Sequence, residues 1–319
     1  MRKGLLIFIV LASISTFGGC RAKPTVADVA DQSTPTNRPM RIVTDDLGRQ
    51  VAVPVKIARV VSLAPNLTEN IFAVGAGARL VGVTTFCNYP EQAKEIPKIG
   101  DTMTPNMESI IALKPDVVFV STASQIEAFM KTLEANGIAV YVTNPTSLDG
   151  VMKNLKELGE LMGTHEQANQ LVADLTARIN AVYQRVSGEK KIHVFVQISK
   201  EPLFTIGKQS FLTALLEQAG GESVTANVDS AYPKLSKETA SALNPETLIL
   251  SDSEDNKEPN EVFKNSSAVK NGHVILLNAD QLSRPGPRLV NVLEYVARQL
   301  HMGKFEWKRG LDPSGNSAF

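Results

Sequence analysis

The sequence predicts an α/β protein of two lobes, each with a central parallel sheet, joined by one long helix. Three observations predict this class. A long amphipathic segment lies near the middle of the chain, and a fourteen-residue pattern occurs once on each side of it. Short apolar runs alternate with helical patterns on both sides, which is typical of parallel sheets covered by helices.

The central segment runs from Thr164 to Val186 without Pro or Gly. Its apolar residues recur every three or four positions, as expected for a helix with one buried face. Thr164 with Gln167 predicts a capping box at its start. At 1.5 Å per residue the helix would be about 33 Å long, roughly the diameter of a small domain. It could therefore join two lobes rather than lie inside one.

The repeated pattern spans 108–121 and 238–251, with every equivalent pair 130 positions apart. Each copy has a Glu that opens a short helix, a Leu, a Pro that ends the helix, and an apolar run of strand length. Helix-to-strand units occur in any α/β protein. A Glu at the same place in both copies, Glu108 and Glu238, is not explained by that general rule.

The chain starts with an export signal. Arg2 and Lys3 precede an apolar core from Leu5 to Ala12, which is too short to span a membrane. The run Thr16 to Cys20 resembles a bacterial lipobox, which implies that Cys20 becomes the lipidated N-terminus of an exported, membrane-anchored lipoprotein. Ordinary signal cleavage with a soluble product is the alternative.

A Pro-, Thr- and Asp-rich stretch follows, with almost no bulky apolar residues, and predicts a flexible tether. The predicted organisation is a signal peptide at 1–19, lipidated Cys and tether at 20–40, a first lobe at 41–160, an interlobe helix at 164–187, a second lobe at 191–302 and a tail at 303–319.

Strand patterns predict the rest of both lobes. Residues 42–53 indicate a hairpin with Gly48 in its turn, and a helix is expected from Thr68 to Val74. Further strands are predicted at 59–63, 80–83, 117–120, 140–142, 193–198, 248–250 and 274–277. Helices are predicted at 211–218, closed by Gly220 and Gly221, and at 289–302.

Composition and motifs disfavour several function classes. Lys and Arg together number 33, as do Asp and Glu, so no positive excess suggests nucleic acid. After lipidation Cys87 is the one remaining thiol, which excludes a disulfide framework. The sequence has no Gly-rich phosphate loop and no nucleophile elbow, so an enzyme is disfavoured. Its four His residues are scattered, which weakens a zinc- or manganese-binding reading.

Several motifs, in order along 40–302, resemble the periplasmic binding proteins for vitamin B12 and ferric siderophores. They are the residues 62–69 (Ser-Leu-Ala-Pro-Asn-Leu-Thr-Glu), 81–83, 88–90, 106–108, 112–116 and 284–288 (Arg-Pro-Gly-Pro-Arg). The resemblance implies the class III fold, in which two Rossmann-like lobes are joined by one rigid helix. It also implies a protein that captures a metal chelate and delivers it to an ABC permease dimer with its ATPase subunits.

A ligand is expected beyond the carboxyl ends of the strands, where the two lobes face one another. Loops there carry Phe86, Tyr89, Phe204 and Tyr232, and aromatic rings with polar edges suit a large flat ligand with an amide-rich rim. For Tyr89, packing within its own loop is the favoured reading. The resemblance implies ligand-facing positions for Phe86, Thr102, Phe204, Tyr232 and Arg284; Pro65 and Asn66 lie in the loop after the first buried strand.

Charge favours a corrinoid, cobalamin or cobinamide, as the bound ligand, with no cofactor of the protein's own. Anionic catecholate iron complexes would need several convergent cations, and Arg284 with Arg288 is the one evident pair. Heme is the third choice, since its axial ligand would have to be Tyr89, Tyr232 or a poorly placed His. Cys87, beside Phe86, is interpreted as a small residue filling a tight loop, with thiolate coordination of a metal as the alternative.

Glu108 and Glu238 are expected on matching tips of the two lobes. Such a pair suits a dimeric permease that offers one basic pocket per subunit. The resemblance implies the same docking role. We expect a monomer, with no nucleic-acid partner.

Overall fold

A computed structural model describes residues 38–121 and 127–302, with the backbone alone at 127–129. The predicted signal peptide, Cys20, nearly all of the tether and the tail lie outside the described residues. The chain begins there with an antiparallel hairpin of β1 (Met40–Thr44) and β2 (Gln50–Pro54). Gly48 lies in its turn with a φ of 74°, as predicted.

The first lobe is an alternation of parallel strands and helices. Its elements are β3 (Val60–Ser62), α1 (Pro65–Ala73), β4 (Leu80–Val83), α2 (Met107–Ala112), β5 (Val117–Ser121), α3 (Glu127–Ala135), β6 (Ala139–Thr143) and α4 (Leu148–Met162). The long helix α5 (His165–Val186) follows.

The second lobe repeats the alternation. Its elements are β7 (Ile192–Gln197), α6 (Phe211–Gln218), β8 (Gly221–Ser223), α7 (Lys237–Ala242), β9 (Thr247–Asp252), α8 (Ser267–Lys270), β10 (Val274–Asn278), α9 (Ala279–Ser283) and α10 (Arg288–Leu300).

The two sheets have the same strand order. The first is β4-β3-β5-β6 and the second is β8-β7-β9-β10, with every pairing parallel. Because equivalent strands occupy equivalent places, the repeat seen in the sequence extends to the topology of both lobes. The prediction of two parallel-sheet lobes is confirmed.

Each sheet buries both faces, as parallel sheets do. Along β5, Val117 and Phe119 belong to a core shared with α5, while Val118 and Val120 belong to a separate core of the first lobe. The alternation follows from the period of two along a strand. In β9, Ile249 lies in the shared core and Leu248 in a core of the second lobe.

Helix α5 packs on α4 of the first lobe and on α10 and α6 of the second. Its buried residues, including Val172 and Val182, belong to the shared core, which also contains Leu155 of α4 and Leu293 of α10. The helix is therefore held by both lobes along its length.

The predicted capping box is wrong. Thr164 makes no cap hydrogen bond, and its hydroxyl is buried without a partner. An N-cap residue needs an extended backbone, and Thr164 has a ψ of 33° because it follows Gly163, the left-handed residue that ends α4. The Gln167 side chain instead lies against Gly75, where a Cβ would clash with it.

Helix α1 begins three residues before the predicted Thr68. Pro65 is its first residue, a position that suits proline because no helical N–H is needed there. The short strand β8 lies where the sequence predicted only a helix-closing Gly pair.

Candidate functional site

A cleft of about 790 Å³ lies between the two lobes. Its walls come from residues at or beyond the carboxyl ends of the four strands of each sheet, β3 to β6 in the first lobe and β7 to β10 in the second. These are the carboxyl ends of both parallel sheets, where the sequence placed the ligand. The volume is within the range of small-molecule sites and toward its upper end.

Six of the seven residues predicted to face the ligand line this cleft: Pro65, Asn66, Phe86, Thr102, Tyr232 and Arg284. Phe204 is not among the lining residues. It is half-buried and pairs through its backbone with Ser199, inside the second lobe. The roles of all seven in binding stay predictions.

The cleft walls combine aromatic rings with uncharged polar groups. Phe86 and Tyr232 are 58% and 42% exposed, values high for aromatic side chains. Phe211 is a third ring, which the sequence analysis assigned only to the start of a helix. Aliphatic residues such as Leu212 and Leu282 also line the cleft, together with amides and hydroxyls at Asn66, Thr102, Ser121, Asn144, Thr146, Gln209, Ser210, Ser251 and Ser283.

Tyr232 has a pKa raised above the usual value for a phenol. Although the residue is 42% exposed, loss of water around the phenol group is the main cause, and a hydrogen bond with the Ser210 side chain partly opposes it. The phenol is therefore held in its neutral form at physiological pH.

Charge at the cleft is confined to one ion pair. Among the lining residues in the described part of the chain, Asp280 and Arg284 alone are charged, and their side chains are 2.7 Å apart. The Nη1 of Arg284 also donates to Glu69 at 2.9 Å and to Asn88 at 2.7 Å, and its Nη2 donates to the carbonyl of Phe86 at 3.3 Å. Arg284 thus makes three hydrogen bonds through its terminal nitrogens, besides its ion pair with Asp280.

The base of the cleft is a polar seam between the lobes. Glu69, on α1, meets Arg288, the first residue of α10, through two bonds of 2.8 and 2.6 Å. Asn70 donates to the carbonyl of Pro285 at 3.2 Å. The Arg288 guanidinium also lies 4.3 Å from the centre of the Tyr89 ring, a cation–π contact.

Cys87 does not line the cleft. Its thiol is buried, 3.1 Å from the hydroxyl of Thr68 and 3.1 Å from that of Thr84. This placement favours the space-filling interpretation over metal coordination.

Glu108 and Glu238 occupy equivalent exposed positions in the first turns of α2 and α7, which have six residues each. The caps correspond as well, since Asn106 accepts from the N–H of Ser109 and Ser236 from that of Thr239. The pKa of Glu238 is lowered, chiefly by a backbone N–H bond at the helix start. Both side chains are exposed to solvent.

Residues 38–121 and 127–302 hold no group of three or more His, Cys, Asp or Glu side chains arranged to bind a metal ion. In the same ranges, no helix combines the length and apolar character that crossing a bilayer requires.

Comparison with known proteins gives one family match. A model described as periplasmic binding protein matches residues 60–281. The chain is 30% identical over 240 residues to the vitamin B12-binding protein of Vibrio campbellii, which covers 75% of this chain and 87% of that relative. It is also 30% identical over 316 residues to the uncharacterized ABC transporter substrate-binding lipoprotein YvrC of Bacillus subtilis, covering 96% and 99% of the two chains.

Solved structures have the same fold. The periplasmic vitamin B12 binding protein BtuF of Vibrio cholerae aligns with a TM-score of 0.68 at 28% identity, over 77% of this chain and 98% of that one. A periplasmic heme binding protein from Pseudomonas aeruginosa aligns with a TM-score of 0.69 at 23% identity, over 76% and 92%. At that identity the second likeness concerns the fold alone.

Proposed function

This chain belongs to the periplasmic binding protein family, and we propose that it is the substrate-binding protein of an ABC importer that captures a corrinoid in its interlobe cleft. Within this proposal it is a transport component rather than an enzyme, and it needs no cofactor of its own. The relatives named for vitamin B12 and for ABC transport support the proposal.

The observation that carries the corrinoid assignment is the charge of the cleft. Its single cation, Arg284, is neutralised by Glu69 and Asp280, while amides and hydroxyls surround exposed aromatic rings. A corrinoid has a large ring that can lie on aromatic faces and a rim of amides that can exchange hydrogen bonds with Asn, Gln, Ser and Thr. Cyanocobalamin has no net charge, and cobinamide is neutral or cationic, so neither ligand needs a free cation in this lining.

The same observation disfavours two alternatives. A catecholate iron complex is anionic and would lie in a cleft without an available cation. Heme carries two carboxylates and needs an axial ligand, and Tyr232 is the one lining side chain of a type that commonly binds heme iron. The raised pKa of Tyr232 opposes the phenolate that such a bond requires.

Glu108 and Glu238 are proposed as the contacts with the permease dimer. Two exposed carboxylates with the same helix position and the same cap type match a partner built from two equivalent subunits. In this proposal the protein is an exported monomer, anchored to the membrane through lipidated Cys20, and the ATPase subunits act on the permease from the other side.

Visible absorption spectroscopy of the purified protein tests the ligand. Cyanocobalamin, cobinamide, a ferric catecholate and hemin are each added and separated from the protein by gel filtration. We expect the wild-type protein to retain a corrinoid. Tyr232→Ala should lower the affinity for that corrinoid about ten- to a hundredfold, since an aromatic anchor carries much of such binding energy. Tyr183→Ala, which removes a 61% exposed ring on α5, is the matched control. Retention of hemin or of the ferric complex in place of both corrinoids would contradict the assignment.

A further inference from the structure

Glu69 is a buried carboxylate that joins the lobes at the cleft wall. It is 4% exposed, and its two partners, Arg284 and Arg288, are 7% and 9% exposed. The three ion-pair distances range from 2.6 to 2.9 Å. Glu69 lies on α1 of the first lobe, and the arginines are 215 and 219 residues later, in the second lobe.

The cluster is electrically balanced. Glu69 and Asp280 supply two negative charges, and Arg284 and Arg288 supply two positive charges. Glu69 binds Arg288 in the bidentate geometry that a ligand carboxylate would otherwise use. Without Glu69, the pair Arg284 and Arg288, of which Arg284 lines the cleft, would carry one uncompensated buried positive charge, where screening by solvent is weak.

We propose that Glu69 is a specificity-determining residue, an internal anion that occupies Arg284 and Arg288 and so makes the cleft select uncharged chelates over anionic ones. The proposal rests on the proposed function, because it explains how that cleft chooses among metal chelates. Glu69 does not line the cleft and acts through Arg284, which does. It is therefore a positioning residue whose effect appears in ligand charge preference.

Asp280 makes a second test of the same idea possible. It pairs with the other side of Arg284 at 2.7 Å, and its side chain is 42% exposed. Asp280→Asn removes the negative charge that faces the same guanidinium, and Arg284 keeps its bond to Glu69. This variant should fold even if Glu69→Gln does not.

The experiment compares ligands that differ chiefly in the number of peripheral carboxylates. One pair is cyanocobalamin and its monocarboxylate, made by hydrolysing one peripheral amide; the other is the dimethyl ester of hemin, whose carboxylates are neutralised, and hemin itself. For wild type we expect tighter binding of the neutral member. In Glu69→Gln and in Asp280→Asn, the ratio of neutral to anionic affinity should fall by about tenfold or more.

Glu294→Gln is the matched control. Glu294 is also 4% exposed and holds an Arg in two bonds, to Arg178 at 2.8 and 2.7 Å, but it does not line the cleft. Its replacement should lower stability and leave the affinity ratio unchanged. A general loosening of the structure would move the ratio in all three variants, and that result would overturn the proposal.

Failure of this inference is distinct from failure of the proposed function. If wild type binds cyanocobalamin and neither Glu69→Gln nor Asp280→Asn changes the ratio of neutral to anionic affinity, Glu69 does not set the preference for ligand charge. If wild type binds the porphyrins and not the corrinoids, the corrinoid assignment is wrong, and the porphyrin pair then decides the role of Glu69. If wild type binds neither pair, both proposals are wrong.

Discussion

Three of the four buried carboxylates in the described residues are held by partners that are distant in the sequence, whereas Asp45 pairs locally with Arg49. Glu69 meets two arginines from the other lobe, Glu294 of α10 meets Arg178 of α5, and Asp116 caps the start of β3. Burying a charge without a partner costs several kcal/mol, and removing one member of a buried ion pair costs at least about 3 kcal/mol. Each of these contacts therefore fixes one part of the fold relative to another.

Cys87 is interpreted as a structural residue beside the cleft. Replacing it by Ser keeps a small side chain that can bond Thr68 and Thr84, as the thiol does. We expect Cys87→Ser to leave ligand affinity within about threefold, less than 1 kcal/mol. Titration followed by visible absorption checks this. A hundredfold loss with a shifted spectrum would mean that the thiol binds the metal of the ligand.

Within the repeated unit, the acid after the Pro is also structural. Asp116 accepts from the N–H groups of Ala58 and Arg59 at 2.7 and 2.9 Å, and Glu246 accepts from that of His193 at 3.0 Å. In both lobes the acid thus holds the chain that enters the central strand. The two copies differ in burial, since Asp116 is 9% exposed and the Glu246 side chain is 34% exposed.

Asp116→Ala should destabilise the protein more than Glu246→Ala. The first change removes a largely buried carboxylate and two part-buried backbone bonds, whereas the second removes one exposed bond, so the first should cost about 1–3 kcal/mol and the second less. The ion pair with Arg38 adds little because that side chain is 60% exposed. Urea denaturation of both variants and wild type measures the difference. Equal losses of unfolding free energy in the two variants would mean that burial of the carboxylate does not decide how much this contact stabilises the protein.

Glu246 should in addition make a pH-dependent contribution. Its pKa is lowered, first by the His193 N–H and then by Lys190. A lowered carboxyl pKa gives stability that is present above the pKa of the unfolded chain and lost as the pH falls through the lowered folded value. The gap between wild type and Glu246→Ala should therefore shrink as denaturation is repeated from pH 7 toward pH 3.

Periodicity was enough to predict most strands and helices, and α6 and β4 have the predicted bounds. It could not predict β8, because Gly-Glu-Ser has little intrinsic strand preference and forms a strand only by pairing with β7. The site divides in the same way. Local motifs led to six cleft residues, whereas the ion pair between Arg284 and Glu69 joins residues 215 positions apart and has no local pattern.

At the scale of the molecule, two features join the lobes. Helix α5 shares a continuous core with both, and the polar seam around Glu69 connects α1 to α10 at the base of the cleft. An apolar core is non-directional, whereas a bidentate ion pair requires one geometry. We infer that the core supplies most of the stability and that the seam fixes the spacing of the cleft walls.

The first turns of α2 and α7 carry the exposed Glu108 and Glu238, which make no ion pair within residues 38–121 and 127–302. Their replacement should leave the fold and the cleft intact, because both side chains are exposed and the caps come from Asn106 and Ser236. We therefore expect Glu108→Ala with Glu238→Ala to bind ligand normally and to unfold near the wild-type temperature, yet to support no uptake through its permease. Charged contacts at the rim of an interface mainly guide encounter and fix register.

Uptake of labelled corrinoid by proteoliposomes that contain the permease and its ATPase measures this loss. Glu166→Ala with Asp174→Ala removes the same charge from two exposed positions on α5 and should transport as wild type does. Raising the salt concentration should slow wild-type uptake toward the rate of the double mutant, since exposed charge pairs are screened within about 8–10 Å at physiological ionic strength. Normal transport by the Glu108→Ala, Glu238→Ala protein would exclude the docking role. Loss of ligand binding in that protein would instead place these carboxylates in the cleft, against their exposed positions on α2 and α7.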